Sequence, residues 1–164
     1  MKGQVHDKRS IRADCGLLII VAVLLLVLTS PAFASLGASE NSVQDDQVRL
    51  QAKVRTTNTR AYKVHELTSP LGTVVREYVS SAGIVFALSW QGPFQPDMRQ
   101  VLGSYFAQYV MAAKKQRENQ FRRSSLYIHK PSLVFQSVGH LRAYFGRAYD
   151  PQLLPPGVSP DELR

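Results

Sequence analysis

The side chains best equipped for chemistry in this chain of 164 residues are few and dispersed. Glu77 lies between Val75 and Val79 at a spacing of two, which on a strand places all three side chains on one face. If that face is the core, the carboxylate needs a partner, because an unpaired buried charge is expensive. Arg142 and Arg147, near the end of the chain, are the candidate counter-ions, with Arg142 first. The functional alternative is a general acid or base whose pKa is raised by burial. A hydrolase of that kind would need Glu77, Glu66 or Asp97 within hydrogen-bond reach of His65 or His140. The candidate catalytic set is therefore Glu77, His65, His140 and Arg142.

Few other signatures compete. His65-Glu66 opens like a zincin motif, but Ser69 stands where the second histidine belongs. His65, His129 and His140, with Glu66 or Glu77 as a fourth ligand, lack the spacing of a zinc site, so neither metal nor cofactor is expected. No nucleophile elbow, phosphate-binding glycine loop or dinucleotide fingerprint is present. The basic run Lys114, Lys115, Arg117, Arg122 and Arg123 is offset only by Glu118, which makes it a solvated helix end or an anion-binding patch. The balance is against an enzyme.

The elements that must carry these residues follow from the pattern. Residues 61–68, 73–79 and 84–90 are rich in Val, Tyr and Thr and are parted by Pro- and Gly-containing turns, as in an antiparallel meander. A tight turn over 80–83 would set Val75 opposite Leu88. A bulge at Gly83 would instead bring Phe86, Leu88 and Trp90 to the side of Arg76 and Tyr78. Asp97 and Gln100 form a capping box before a stripe of Met98, Val101, Leu102, Tyr105, Phe106, Tyr109 and Val110, which predicts a helix over 97–115. Three further strands are expected at 126–130, 133–138 and 141–148. The fold class is α+β: an antiparallel sheet of about five to six strands in the order β-β-β-α-β-β-β, with one long amphipathic helix on one face.

The ends of the chain read differently. Residues 1–34 have the form of a signal peptide: Lys2, Lys8, Arg9 and Arg12, an apolar run from Gly16 to Leu28, and Ala32-Phe33-Ala34 before a cut at Ser35. The run of 13 apolar residues is short of the roughly 20 that cross a bilayer, so no stable anchor is expected after cleavage. Residues 35–60 form a polar segment with a short helix ending near Ala52 and a linker at 56–59. The main domain covers 61–150 and a tail 151–164. The single cysteine, Cys15, leaves with the leader, which excludes thiolate chemistry and disulfides in the exported form. The net charge is +8; with four basic and two acidic residues in the leader, 16 and 10 remain. Export to the periplasm or medium makes nucleic acid a poor partner. An anionic envelope lipid or polysaccharide, or another exported protein, suits the charge better.

The chain also resembles a family of exported proteobacterial proteins known as domain of unknown function 2844. The blocks that carry the likeness are 62–66 (YKVHE), 72–79 (GTVVREYV), 83–86 (GIVF), 90–93 (WQGP), 96–99 (PDMR), 102–106 (LGSYF), 139–143 (GHLRA), 146–149 (GRAY) and 153–159 (LLPPGVS). They run in one order from about residue 40 to the end, and the basic stretch 114–123 falls between them. The resemblance implies an exported single-domain protein and no reaction. The sequence thus favours a non-enzymatic binding or structural module, with a carboxylate–histidine hydrolase and a peripheral binder of anionic lipid or polysaccharide as alternatives.

Overall fold

Among the described residues seven antiparallel strands form one sheet in the order β1-β2-β3-β4-β7-β6-β5. The computed structural model describes residues 36–119 and 125–164; the segment 1–34 expected to be a signal peptide, and Arg122 and Arg123, lie outside the described residues. Helix α1 (Ser42–Arg49) leads into β1 (Lys53–Asn58), β2 (Tyr62–Thr68), β3 (Val74–Ser80) and β4 (Val85–Gly92). Helix α2 (Met98–Leu102), a 3₁₀ turn (Gly103–Tyr105) and α3 (Phe106–Asn119) follow, then β5 (Ser125–Lys130), β6 (Leu133–His140) and β7 (Ala143–Tyr149). Among the described residues no helix is long and apolar enough to cross a membrane.

The expected α+β fold holds, with seven strands in place of five to six. The added strand is β1, in residues read as polar segment and linker. Its sequence, KVRTTN, has little apolar content because it is an edge strand whose residues are exposed or half-exposed. The N-terminal helix sits within its expected bounds, although its N-cap is Asn41 and makes no side-chain capping bond.

The main helix differs from the uniform stripe. Asp97 caps it by accepting from the Arg99 N–H at 2.8 Å, but Gln100 turns away to donate to Asp46, so the reciprocal half of the box is not made. Gly103, at φ +49°, then breaks the helix, a conformation that glycine adopts without a Cβ penalty. Before the break Met98, Val101 and Leu102 are buried. After it Tyr105, Phe106, Tyr109 and Ala112 pack against the core while Val110 faces solvent.

The hairpin registers are also particular. Val75 pairs with Trp90, Glu77 with Leu88 and Val79 with Val85, with a shift between Tyr78 and Val79. The bulge sends only Phe86 to the Tyr78 side; Leu88 and Trp90 stay with Val75. Gly139 and His140 continue β6, and the turn is Leu141-Arg142 with φ of +38° and +67°. Two left-handed residues match the twist of a two-residue hairpin, though neither is the Gly or Asn that such turns favour. Gly139 is in the strand because the Tyr144 ring lies where a Cβ would be.

The two sheet faces are covered differently. The helices cover one, burying Val75, Leu88, Trp90, Leu133 and Phe135. Residues 153–163 cover part of the other, where Leu163 packs with Tyr78, Phe86 and Tyr149. Tyr78 fixes the tail: its hydroxyl donates to the Arg164 carbonyl at 2.7 Å and accepts from the Arg164 N–H at 3.0 Å.

Candidate functional site

Register places one residue from each strand in a row on the helix-covered face: Thr56, His65, Glu77, Leu88, Ala148, Phe135 and Ile128. Four of the seven are apolar and three are polar, and the polar three are consecutive. His65 and Glu77, expected as separate candidates, are direct cross-strand neighbours. His140 and Arg142 lie elsewhere, at and beside the β6–β7 turn, where the Arg142 guanidinium sits 5.7 Å from the Phe94 ring centre.

Glu77 is fully buried on the face it shares with Val75 and Val79, but the expected ion pair is absent. Arg147 points to the opposite face, where its Nε donates to Gln136 at 2.8 Å and its guanidinium donates to the Pro160 carbonyl. The neighbour of Glu77 is a second carboxyl group. Helix α1 brings Asp46 down onto β3, and Gln100 Nε2 donates to Asp46 Oδ1 at 2.7 Å. Asp46 is only 1% exposed, and its Oδ2 and both oxygens of Glu77 find no partner outside the pair, which a proton held by one acid can bridge. Burial, followed by the charge of Asp46, holds Glu77 well above the usual carboxylate range. Burial likewise pushes Asp46 up to about 6, opposed by Gln100 and the nearby Arg49 charge. Two carboxyl groups sharing a dry site cannot both ionise cheaply. Burial beside a second acid thus favours the protonated form of Glu77, where the sequence suggested a counter-ion.

His65 joins a separate set. Its Nδ1 lies 2.9 Å from Thr56 Oγ1 and its Nε2 lies 3.1 Å from Glu40 Oε1, while Lys63 holds Glu40 at 2.9 Å. A carboxylate and an imidazole do meet, but the carboxylate is Glu40. Glu66 is engaged elsewhere, with Arg76 Nε at 2.9 Å, and Asp97 is a helix cap. No metal-binding cluster of three or more His, Cys, Asp or Glu occurs among the described residues.

The outer face carries a second row: Arg55, Glu66, Arg76, Ser89, Arg147, Gln136 and Tyr127. Beside it, Gln91, Phe145, Val138 and Ser125 form the end of a third. The end of the tail, Leu163 and Arg164, borders this corner and leaves Phe145, Val138 and Tyr127 exposed. A groove of about 340 Å³ opens there, with Phe145 54% exposed, Val138 44% and Tyr127 59%. Trp90, whose ring lies against Gly146, belongs to the helix-covered face behind the groove.

The family model that matches residues 32–163 is described as a protein of unknown function, DUF2844. The chain belongs to that family. No curated protein and no solved structure matches it. In this DUF2844 chain, the sequence pattern set Glu77 on one face with Val75 and Val79, and named His65 as a candidate without a face; both are buried on the helix-covered side. It missed Asp46, Glu40 and the groove. Asp46 sits beside Asp45 in a short polar helix, and only its register on α1 distinguishes the buried acid from the exposed one. Phe145 and Val138 belong to alternating strands, and which face the tail would cover was not written in their spacing.

Proposed function

We propose that this protein is an exported, non-enzymatic binding module of the envelope or secreted fraction, and that it takes its partner at the uncovered corner of the outer sheet face. The observation that carries the reading is the contiguous exposure of Tyr127, Val138 and Phe145 on three adjacent strands. Val138 and Phe145 are direct cross-strand partners, so their apolar surfaces merge. Contiguous exposed apolar surface rimmed by polar groups, here Gln136, Gln91 and Arg147, is characteristic of contact sites. The leader pattern supports export, and an anionic envelope component or another exported protein is the partner class.

Two measurements test this. N-terminal sequencing of protein from an envelope fraction should begin at Ser35; recovery of the intact Met1 form in membranes would favour an anchor. Phe145→Asp should fold normally, since the ring is exposed, yet lose about tenfold in co-sedimentation with washed envelopes. Unchanged retention would remove the outer face from the reading. The rival hydrolase would work through His65 and Glu40, which do form a hydrogen-bonded pair, and any activity would then vanish in His65→Ala. The lipid-binding alternative rests on Lys114, Lys115 and Arg117, and salt-sensitive vesicle binding would identify it.

A further inference from the structure

Strand β5 forms one edge of the sheet, and its outer side meets no strand among the described residues. One of its outward amides is nevertheless engaged: the Tyr127 N–H donates to Gln116 Oε1 at 3.2 Å, from helix α3. A side-chain carbonyl thus stands where the carbonyl of a neighbouring strand would be. The alternation of an antiparallel ladder directs the Ser125 and His129 backbone groups the same way. Between this edge and α3 runs a cleft of about 450 Å³, whose lining includes Lys115, Lys130 and His129 and no carboxylate. Both lysines are exposed.

We propose that the β5 edge is a docking strand for an extended, acidic peptide segment of another protein, which displaces Gln116 from the Tyr127 amide and sets its carboxylates against Lys115 and Lys130. Strand addition draws its affinity from main-chain hydrogen bonds and its selectivity from alternate side chains. The main-chain part is open here because the amide is held by one side chain, not by a covering strand. Charge supplies the selectivity: a cleft with two lysines and no acid favours carboxylates and disfavours basic segments. It also opposes a second copy of this chain, since antiparallel β5–β5 pairing would bring the lysines of two clefts together. The inference is separable from the outer-face reading, because it uses the Tyr127 main chain and neither Phe145 nor Val138.

The test uses the purified protein and a synthetic peptide of about eight alternating glutamate and valine residues. Its controls are a lysine–valine counterpart and a glutamate–valine peptide N-methylated at alternate backbone nitrogens. Fluorescence anisotropy should show the acidic peptide binding about tenfold or more tightly than either control. Hydrogen exchange should show the Tyr127 and His129 amides protected in the complex. Combined Lys115→Glu and Lys130→Glu should leave the thermal midpoint unchanged and reverse the charge preference. Failure of the acidic peptide to bind, equal binding after N-methylation, protection centred on β1, or a dimer formed through β5 would each overturn the proposal. Phe145→Asp should leave this binding intact, which separates failure here from failure of the outer-face reading.

Discussion

The buried acid pair makes stability depend on pH in an unusual direction. In the unfolded chain Glu77 and Asp46 titrate near their ordinary values of 4.5 and 3.8. In the folded protein both hold their protons to higher pH, Asp46 to about 6. Between these limits the folded state binds more protons than the unfolded one, so stability falls as pH rises. Each such carboxyl costs about 1.4 kcal/mol per pH unit within its window. Asp46 alone removes roughly 3 kcal/mol once pH has passed 6. Glu77, held well above its ordinary value by burial and by Asp46, acts in the same direction. Glu77→Gln abolishes the Glu77 contribution, and its amide can donate to the Asp46 carboxylate in place of the acid proton. Urea unfolding followed by Trp90, the single tryptophan of the chain, checks this directly. Wild type and Glu77→Gln should have similar stability at pH 4.5, and the variant should be the more stable at pH 7.5, with a shallower fall between the two. A variant with the same pH slope as wild type would refute the shared-acid account, and a less stable variant at all pH values would indicate that the carboxylate has a partner after all.

Other expectations are simpler. Leu141→Asn combined with Arg142→Gly should stabilise by about 1 kcal/mol in thermal unfolding, because both positions are left-handed and Leu141 is exposed. Gly146→Ala should destabilise by about 3 kcal/mol and perturb Trp90 fluorescence, since the new methyl would collide with the Trp90 ring and the Gln136 carbonyl. Tyr78→Phe removes the hydroxyl that bonds the Arg164 backbone twice, and should cost about 1–2 kcal/mol and hasten carboxypeptidase trimming of the tail.

Most of the fold was legible because its signals are local. Alternating Val and Tyr residues gave β2 to β4, and Asp97 followed by the apolar stripe gave the start of the main helix. Signals that depend on tertiary context were hidden. Strand β1 has no apolar alternation, since its pairing is backbone chemistry at an exposed edge. Gly139 looks like a turn until the Tyr144 ring is placed on it. At the candidate site, period two set Glu77 on one face with Val75 and Val79, but its companion was hidden. A carboxylate in the core suggested an arginine by charge balance, whereas the protein packs another acid against it and so favours its protonated form.

The strand order has a kinetic consequence. Strands β1 to β4 pair with their neighbours in sequence, and so do β5 to β7, so each meander closes over short turns. The one long-range seam is β4 against β7, where the chain leaves Gly92 and returns at Ala143, about 50 residues later. Closing a loop of that length costs roughly 3.5 kcal/mol of entropy before any contact forms. The slow step of folding should therefore be the docking of two preformed meanders, and substitutions at Leu88 and Ala148 should act mainly on the folding rate. Until that step each half exposes a raw edge, β4 on one and β7 on the other, and the newly made chain is most open to misassembly in that interval.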